Sequence, residues 1–590
     1  MESTKTYFNR QQNWIYLILI FAGLLLRWIN LDQRPLHHDE SLHGIYGLYF
    51  YDNPATGFYK YNPLLHGPFL YHLLPFSYEL LGVSKFAMRF PMAFIGSAML
   101  FIPWIYRRYF NPKTALILTA AIALSPTLIY WSRFVRHDFL VLSCWLAMLF
   151  AITHLKGGWR NFVFISFFSL QFTIKENSYI TFGLLLAYLF YEATILKIVD
   201  KYQESYLSGS LLHIKRSGLI ILFSLLSGVI IYCYFYSAGF QYLQGILDGL
   251  YRKSLVYWAD QHSKSRIPGP FIYQFMILSW YQAPFILLLL YQTFNFYVAK
   301  SWSWKWPALL ALTVAICLRI APSTGLIEAF KWQFSMDHYL FLFLLLQGIV
   351  VTTWHILKRE KVLAFFCYGF FSCFFTYSYV GEKVPWLALY PFVMGLIYFA
   401  LYFDKNIFVH RRRQKYFTVA LLAFCLWSLR ISLITNYSRA GKASEYLAQV
   451  HTSKEYEEIA KKIVTELDAP HRGIKPTILN YRENNWPLSW YLYGRPEYVY
   501  LVKNHDPASF DYIFDQPYDP ALHRELSKTH RKILIDLREW WVPDLDQMTL
   551  LNFTKYALTH NPWNPIGFKK VALFIKKSRS NELQLKNKKN

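Results

Sequence analysis

Residues 14–43 read WIYLILIFAGLLLRWINLDQRPLHHDESLH. The apolar part, 14–31, is near the roughly 17–25 residues that cross a bilayer. It runs directly into His37-His38-Asp39-Glu40-Ser41-Leu42-His43. Two adjacent carboxylates and three histidines thus fall at a membrane surface. Ionisable groups are costly there, and chains that keep them usually use them.

The same apolar pattern recurs along the 590 residues, of which 54% are hydrophobic and only 16% charged. Hydropathy gives about 13 spans. They lie near 14–31, 87–106, 114–132, 139–155, 160–175, 179–196, 217–237, 271–292, 306–320, 338–356, 362–379, 385–403 and 416–436. The fold class is therefore an α-helical polytopic membrane protein. The net charge is +25, yet its placement excludes a nucleic-acid partner. Basic clusters such as Arg107-Arg108, Lys215-Arg216, Lys358-Arg359 and Arg411-Arg412-Arg413 sit in alternate short loops. That is the positive-inside pattern, and membrane lipids account for the charge. With Lys5 and Arg10 inside, the N-terminus is cytoplasmic and the His37–His43 cluster faces outward across the cytoplasmic membrane. All six cysteines lie in spans, which argues against a disulfide framework.

Three parts follow. Residues 1–436 form the transmembrane domain, with a long first outer loop at 32–86. Its stretch Leu70–Leu81 suits a helix in the interface plane. Residues 437–575 change character. Glu445–Leu467 has helical spacing, and the runs Thr477–Asn480, Tyr498–Val502, Tyr512–Phe514, Lys532–Leu537 and Lys570–Ile575 read as strands. This predicts a C-terminal extracytoplasmic α/β domain. Residues 576–590 form a basic, disordered tail.

Four constellations could carry chemistry. Asp39-Glu40 suits a general base or a divalent-cation ligand, or else caps a helix beginning near Ser41. Arg136 and Asp138 mix cation and acid at the outer end of the third span; an edge ion pair is the alternative. Lys175-Glu176-Asn177 marks a break at membrane depth, or a tight surface turn. Lys383, in Gly381-Glu382-Lys383-Val384-Pro385-Trp386, suits a phosphate contact or an interfacial turn. Arg89 is a fifth outer cation, as a ligand contact or a snorkelling anchor. Imidazole and carboxylate together make His38, Asp39 and His43 candidate ligands for a divalent metal ion, the one cofactor considered. The spacing is not that of a zinc protease, and no glycine-rich phosphate loop occurs. Acids and cations sharing the outer side suit a reaction in which an acceptor loses a proton and a phosphate departs.

At these residues the chain resembles the GT-C membrane glycosyltransferases, a clan that includes protein O-mannosyltransferases, oligosaccharyltransferases and aminoarabinose transferases. It is most similar to a prokaryotic family named for association with flippase activity in archaeal N-glycosylation. The resemblance rests on Pro35-Leu36-His37-His38-Asp39-Glu40, His66-Gly67-Pro68-Phe69-Leu70-Tyr71 and Arg133-Phe134-Val135-Arg136-His137-Asp138. Lys175-Glu176-Asn177, Gly381-Glu382-Lys383-Val384-Pro385-Trp386 and Trp486-Pro487-Leu488-Ser489-Trp490-Tyr491 continue it, as do Arg538-Glu539-Trp540-Trp541 and Trp563-Asn564-Pro565. It implies a polyprenyl-phosphate-linked sugar as donor and a glycan, lipid or protein acceptor. Asp39 takes the position of the catalytic acid, with Glu40 and Asp138 in support. Arg89 takes that of an arginine near the lipid phosphate. Arg136, Lys175 and Lys383 are further candidate phosphate contacts. The rival expectation is a transporter or flippase component that moves lipid-linked glycan without forming a bond. A metal-dependent membrane hydrolase is a third.

Overall fold

The computed structural model of the protein describes residues 10–199, 204–264, 267, 269–296, 336–406, 411–470, 473–481, 486–500 and 506–579. The chain divides into two compact units. A helical unit comprises Met1–Ile29, Tyr59–His72 and Phe90–Asn436; a sheet unit comprises Asn30–Phe58, Leu73–Arg89 and Tyr437–Asn590.

Twelve of the expected spans coincide with helices among the described residues, from Arg10–Trp28 to Arg411–Leu433. The one near 306–320 lies outside the described residues. Seven described helices are long and apolar enough to cross a membrane by length and composition, or nine if each of two bent pairs is one span. Leu219–Tyr236 shows why these helices suit lipid: Leu222, Phe223, Leu226, Val229 and Ile230 all stay exposed. A helix apolar all round needs acyl chains or protein about it, not water.

The two bent pairs belong to the helical unit. Pro112–Leu124 and Pro126–Ser132 meet at 55°, and Tyr273–Tyr281 and Ala283–Phe294 at 111°. Pro126 cannot donate to the helix ladder and pushes Ser125 into extended backbone. Ser125 repairs the break: its hydroxyl accepts from the Leu128 amide at 3.1 Å and from Gln282 Nε2 at 2.6 Å. One break is thus tied to the other by a polar bond.

In the sheet unit, β1 (His451–Thr452), β2 (Ile478–Asn480), β3 (Tyr498–Tyr500), β4 (Tyr512–Asp515), β5 (His530–Trp540) and β6 (Gly567–Lys576) form one sheet. The order is β1-β5-β6-β4-β2-β3, with β2 parallel to β3 and β4 and the other pairs antiparallel. Strand alternation sends Ile478, Tyr512 and Phe514 to a core with Tyr456, Ile459 and Ile463 of helix Lys454–Asp468. Leu479, Ile513 and Phe574 face the other way, toward Leu526.

The helix expected over Leu70–Leu81 runs Phe69–Leu81, and the long loop at 32–86 also holds His38–Asp52 and the start of a helix at Lys85. Two local expectations are corrected. The helix expected from Glu445 begins at Lys454, because Ser453 caps it through Tyr456 N at 3.0 Å and the chain before it pairs as β1. The first residues of the tail expected from Lys576 are built into the sheet unit, and 580–590 lie outside the described residues. Lys576 ends β6, and Arg579 of the next turn pairs with Glu466 and, at 3.5 Å, with Asp511.

Candidate functional site

The opening cluster begins the sheet unit's first helix, His38–Asp52. His37 is its N-cap: Nδ1 accepts the Asp39 amide at 3.0 Å, and the His37 amide donates to Glu40 Oε2 at 3.2 Å. This reciprocal capping pins the first turn. Because His37 Nδ1 accepts, its proton sits on Nε2, which donates to Gln449 O at 2.5 Å. His38 Nδ1 likewise accepts from Arg538 Nη2 at 2.8 Å. Burial, then the Arg538 charge, depresses its pKa to about 3. The His38 imidazole is therefore neutral near pH 7.

One residue apart on a helix, Asp39 and Glu40 point different ways. Glu40 is 0% exposed and enclosed by two arginines. Arg89 Nε reaches Oε1 at 2.9 Å, Arg89 Nη2 reaches Oε2 at 2.8 Å, and Arg34 Nη2 reaches Oε1 at 3.0 Å. Burial alone would raise the Glu40 carboxyl, but Arg34 and Arg89 overrule it and hold it well below the usual carboxylate range. Asp39 stays partly exposed, so of the two acids it is the one open to chemistry.

Arg89, expected as a phosphate contact, is fully buried and gives its remaining donors to Leu31 O, Arg34 O and Pro35 O at 2.9, 3.1 and 3.3 Å. Its guanidinium holds the turn that carries the acids. His38, Asp39 and His43 do not assemble as a metal set either: among the described residues no three His, Cys, Asp or Glu side chains gather as one.

The second cluster lies in the helical unit, where Asp138 opens helix His137–His154. Lys175, at the end of Gly157–Ile174, reaches Asp138 Oδ2 at 2.6 Å, and Arg136 Nε lies 3.6 Å from the same oxygen. Tyr390 donates to Oδ1 at 3.0 Å and accepts from Asn177 Nδ2 at 2.5 Å. The Arg136 guanidinium lies 3.6 Å from the centre of the Trp386 ring, a close cation–π contact. Asp138 is 0%, Arg136 6% and Lys175 6% exposed. Three of the residues singled out in the sequence, Arg136 and Asp138 with Lys175 lying 37 positions beyond Asp138, thus form one buried cluster.

Glu176 extends it. Tyr61 donates to Oε1 at 2.6 Å, and His66 Nδ1 lies 2.9 Å from Oε2. Lys383 is not part of it. Its Nζ donates to Ser378 O and, at 2.7 Å, to Val380 O, closing the end of helix Lys361–Tyr379.

Sequence reasoning missed Arg34, Tyr61 and Tyr390. For Arg34 a signal existed, since a carboxylate destined for burial requires nearby cations. Nothing marks Tyr390 or Tyr61 among 46 tyrosines.

Residues 65–215 match the family described as dolichyl-phosphate-mannose-protein mannosyltransferase. That segment holds His66, Arg136, Asp138, Lys175 and Glu176. Among solved structures, ArnT from Cupriavidus metallidurans in the apo state is 13% identical, covering 96% of this chain and 98% of that one at a TM-score of 0.47. The same protein bound to undecaprenyl phosphate is also 13% identical, covering 95% and 98% at 0.47. No curated protein matches the chain.

Proposed function

We propose that the protein is a membrane glycosyltransferase that moves a sugar from a polyprenyl-phosphate carrier to an acceptor outside the cytoplasm. The observation that carries this is the buried Arg136–Asp138–Lys175 cluster, inside the segment similar to the mannosyltransferase family. Arg136 and Lys175 bring two cations to one point, a pairing suited to a phosphodiester. Fixed cations in a water-poor site stabilise the charge that builds on a departing phosphate. Apolar helices of spanning length suit a donor whose carrier is an isoprenoid.

In this proposal Arg136 and Lys175 bind the phosphate, and Asp138 orients them. Asp39 takes the acceptor's proton, a role drawn from the sequence resemblance and supported by its partial exposure. Glu40 holds the helix start that presents Asp39. The test is transfer of labelled sugar from a prenyl-phosphate donor by the purified chain. Lys175→Ala and Asp39→Asn should each lower the rate by about 100-fold or more. Undiminished transfer by Asp39→Asn would exclude it as the base. Lipid-linked sugar crossing vesicles without any glycosylated product would favour the transporter instead.

A further inference from the structure

We infer that His66 and Glu176 form a proton-donating dyad that serves the departing phosphate, with His66 as the acid and Glu176 as its positioning residue. This rests on the proposed phosphate site at Arg136 and Lys175.

The pair is built, not incidental. His66 and Glu176 are each 7% exposed. With one carboxylate oxygen fixed by Tyr61, the other faces His66 Nδ1. Facing an ionised carboxylate, that nitrogen carries a proton, which fixes the ring's orientation and leaves Nε2 as the nitrogen that exchanges. Trp258 stacks nearly parallel to the ring, at 5.9 Å and 13°, and His137 meets it edge-on at 5.2 Å.

The backbone is held to suit. His66 has φ +65°, a left-handed conformation that is strained for a residue with a Cβ. Tyr59 secures it by donating to His66 O at 2.8 Å. Next to it, Gly67 N donates to Ile174 O at 3.1 Å. A Cβ at Gly67 would lie 2.2 Å from Thr173 O, so only glycine allows this approach. Two distant motifs are thereby docked backbone to backbone, one residue from Lys175.

Charge gives the dyad its task. Arg136 and Lys175 balance Asp138 and Glu176, so a proton on His66 makes the cluster net positive by one. In transfer, the sugar's C1–O bond to phosphate breaks and its bond to the acceptor oxygen forms. The acceptor's proton goes to the base. The phosphate changes from a singly charged diester to a doubly charged monoester. The His66 Nε2–H bond breaks, an O–H bond forms on the phosphate, and neutral His66 remains on the Glu176 carboxylate until solvent reprotonates it. Lys175, Asp138, Tyr179 and Tyr236 also act on Glu176, and Asp138 lies within electrostatic reach of His66. Burial outweighs the Tyr61 hydrogen bond and Lys175 and pushes the Glu176 carboxyl up to about 7, so at about pH 8 it is mostly ionised and faces His66 as a carboxylate.

The test titrates the detergent-solubilised full chain with geranylgeranyl phosphate at about pH 8, where a free phosphate monoester is fully ionised. Calorimetry in two buffers of different ionisation enthalpy gives the protons taken up. The wild type should take up about one proton per ligand bound. His66→Gln and Glu176→Gln should bind with that uptake falling toward zero. Binding without uptake in the wild type, or uptake that survives His66→Gln, overturns the dyad alone and reduces it to a loop fastening. No binding, or affinity unchanged in Lys175→Met, overturns the phosphate site and the dyad with it.

Discussion

Replacing Arg89 with methionine should cost stability, not ligand affinity. The side chain is 0% exposed and makes two charged bonds to Glu40, at 2.8 and 2.9 Å, plus three to backbone carbonyls. Methionine fills much of the volume but leaves a buried carboxylate short of half its compensation. Breaking one side of a buried pair costs about 3–5 kcal/mol. Arg34 stays on Oε1, so the lower end, about 3 kcal/mol, is expected. For a folding unit of about 200 residues that corresponds to roughly 6–12 °C in melting temperature. Arg89→Lys keeps the charge but loses the two-pronged geometry, and should recover less than half. Tryptophan-fluorescence melting of the solubilised chain measures the loss, with geranylgeranyl phosphate binding measured in parallel below the transition. An unchanged melting temperature together with weakened phosphate binding would refute the reasoning and make Arg89 a ligand contact.

Acid should destabilise the sheet unit earlier than its carboxylates alone would. Burial and neighbouring arginines depress His38 to about 3 and His451 well below the ordinary value. Both bind fewer protons folded than unfolded below about pH 6.5, so stability falls as pH drops through that value. Glu40, depressed instead, gives stability that is present above about pH 4.5 and lost only as pH falls through its folded value. Melting temperature should therefore decline between about pH 6.5 and 4.5, and a His38→Asn/His451→Gln variant with the same decline would contradict this. Gly67→Ala should detach the His66 segment, since its Cβ would meet Thr173 O at 2.2 Å. Faster proteolysis or hydrogen exchange across residues 59–72 would report it, and unaltered protection would count against the docking. Lys383→Met should lower stability by about 1–2 kcal/mol through the lost cap on Ser378 O and Val380 O. A tenfold loss in prenyl-phosphate affinity would instead restore Lys383 to the phosphate site.

The motifs at Asp39-Glu40, Arg136-Asp138 and Lys175-Glu176 stood out because charge beside long apolar runs is rare and needs a reason. What they do there was less legible. Arg89, Lys383, Arg136 and Lys175 are all basic residues near span ends, and nothing local separates them. Arg89 and Lys383 satisfy carbonyls and a carboxylate inside the protein, whereas Arg136 and Lys175 gather on one acid. His38 and His43 read as candidate metal ligands because spacing says nothing of tautomer. Hydrogen bonds make His37 a helix cap and His38 an acceptor for Arg538.

Sequence by itself determined where the described apolar helices fall, the sheet-forming character of the C-terminal part and the motifs that carry charge. These depend on composition and on periods of 3.6 and 2, which a chain displays before it folds. Only the tertiary structure decided which charges meet. Lys175 finds Asp138 across 37 positions, Tyr390 finds it across 252, and His66 finds Glu176 across 110. Such pairings are fixed by helix packing and by close approaches such as that at Gly67. No local pattern encodes them, because the energy that selects them appears only once both partners have left water.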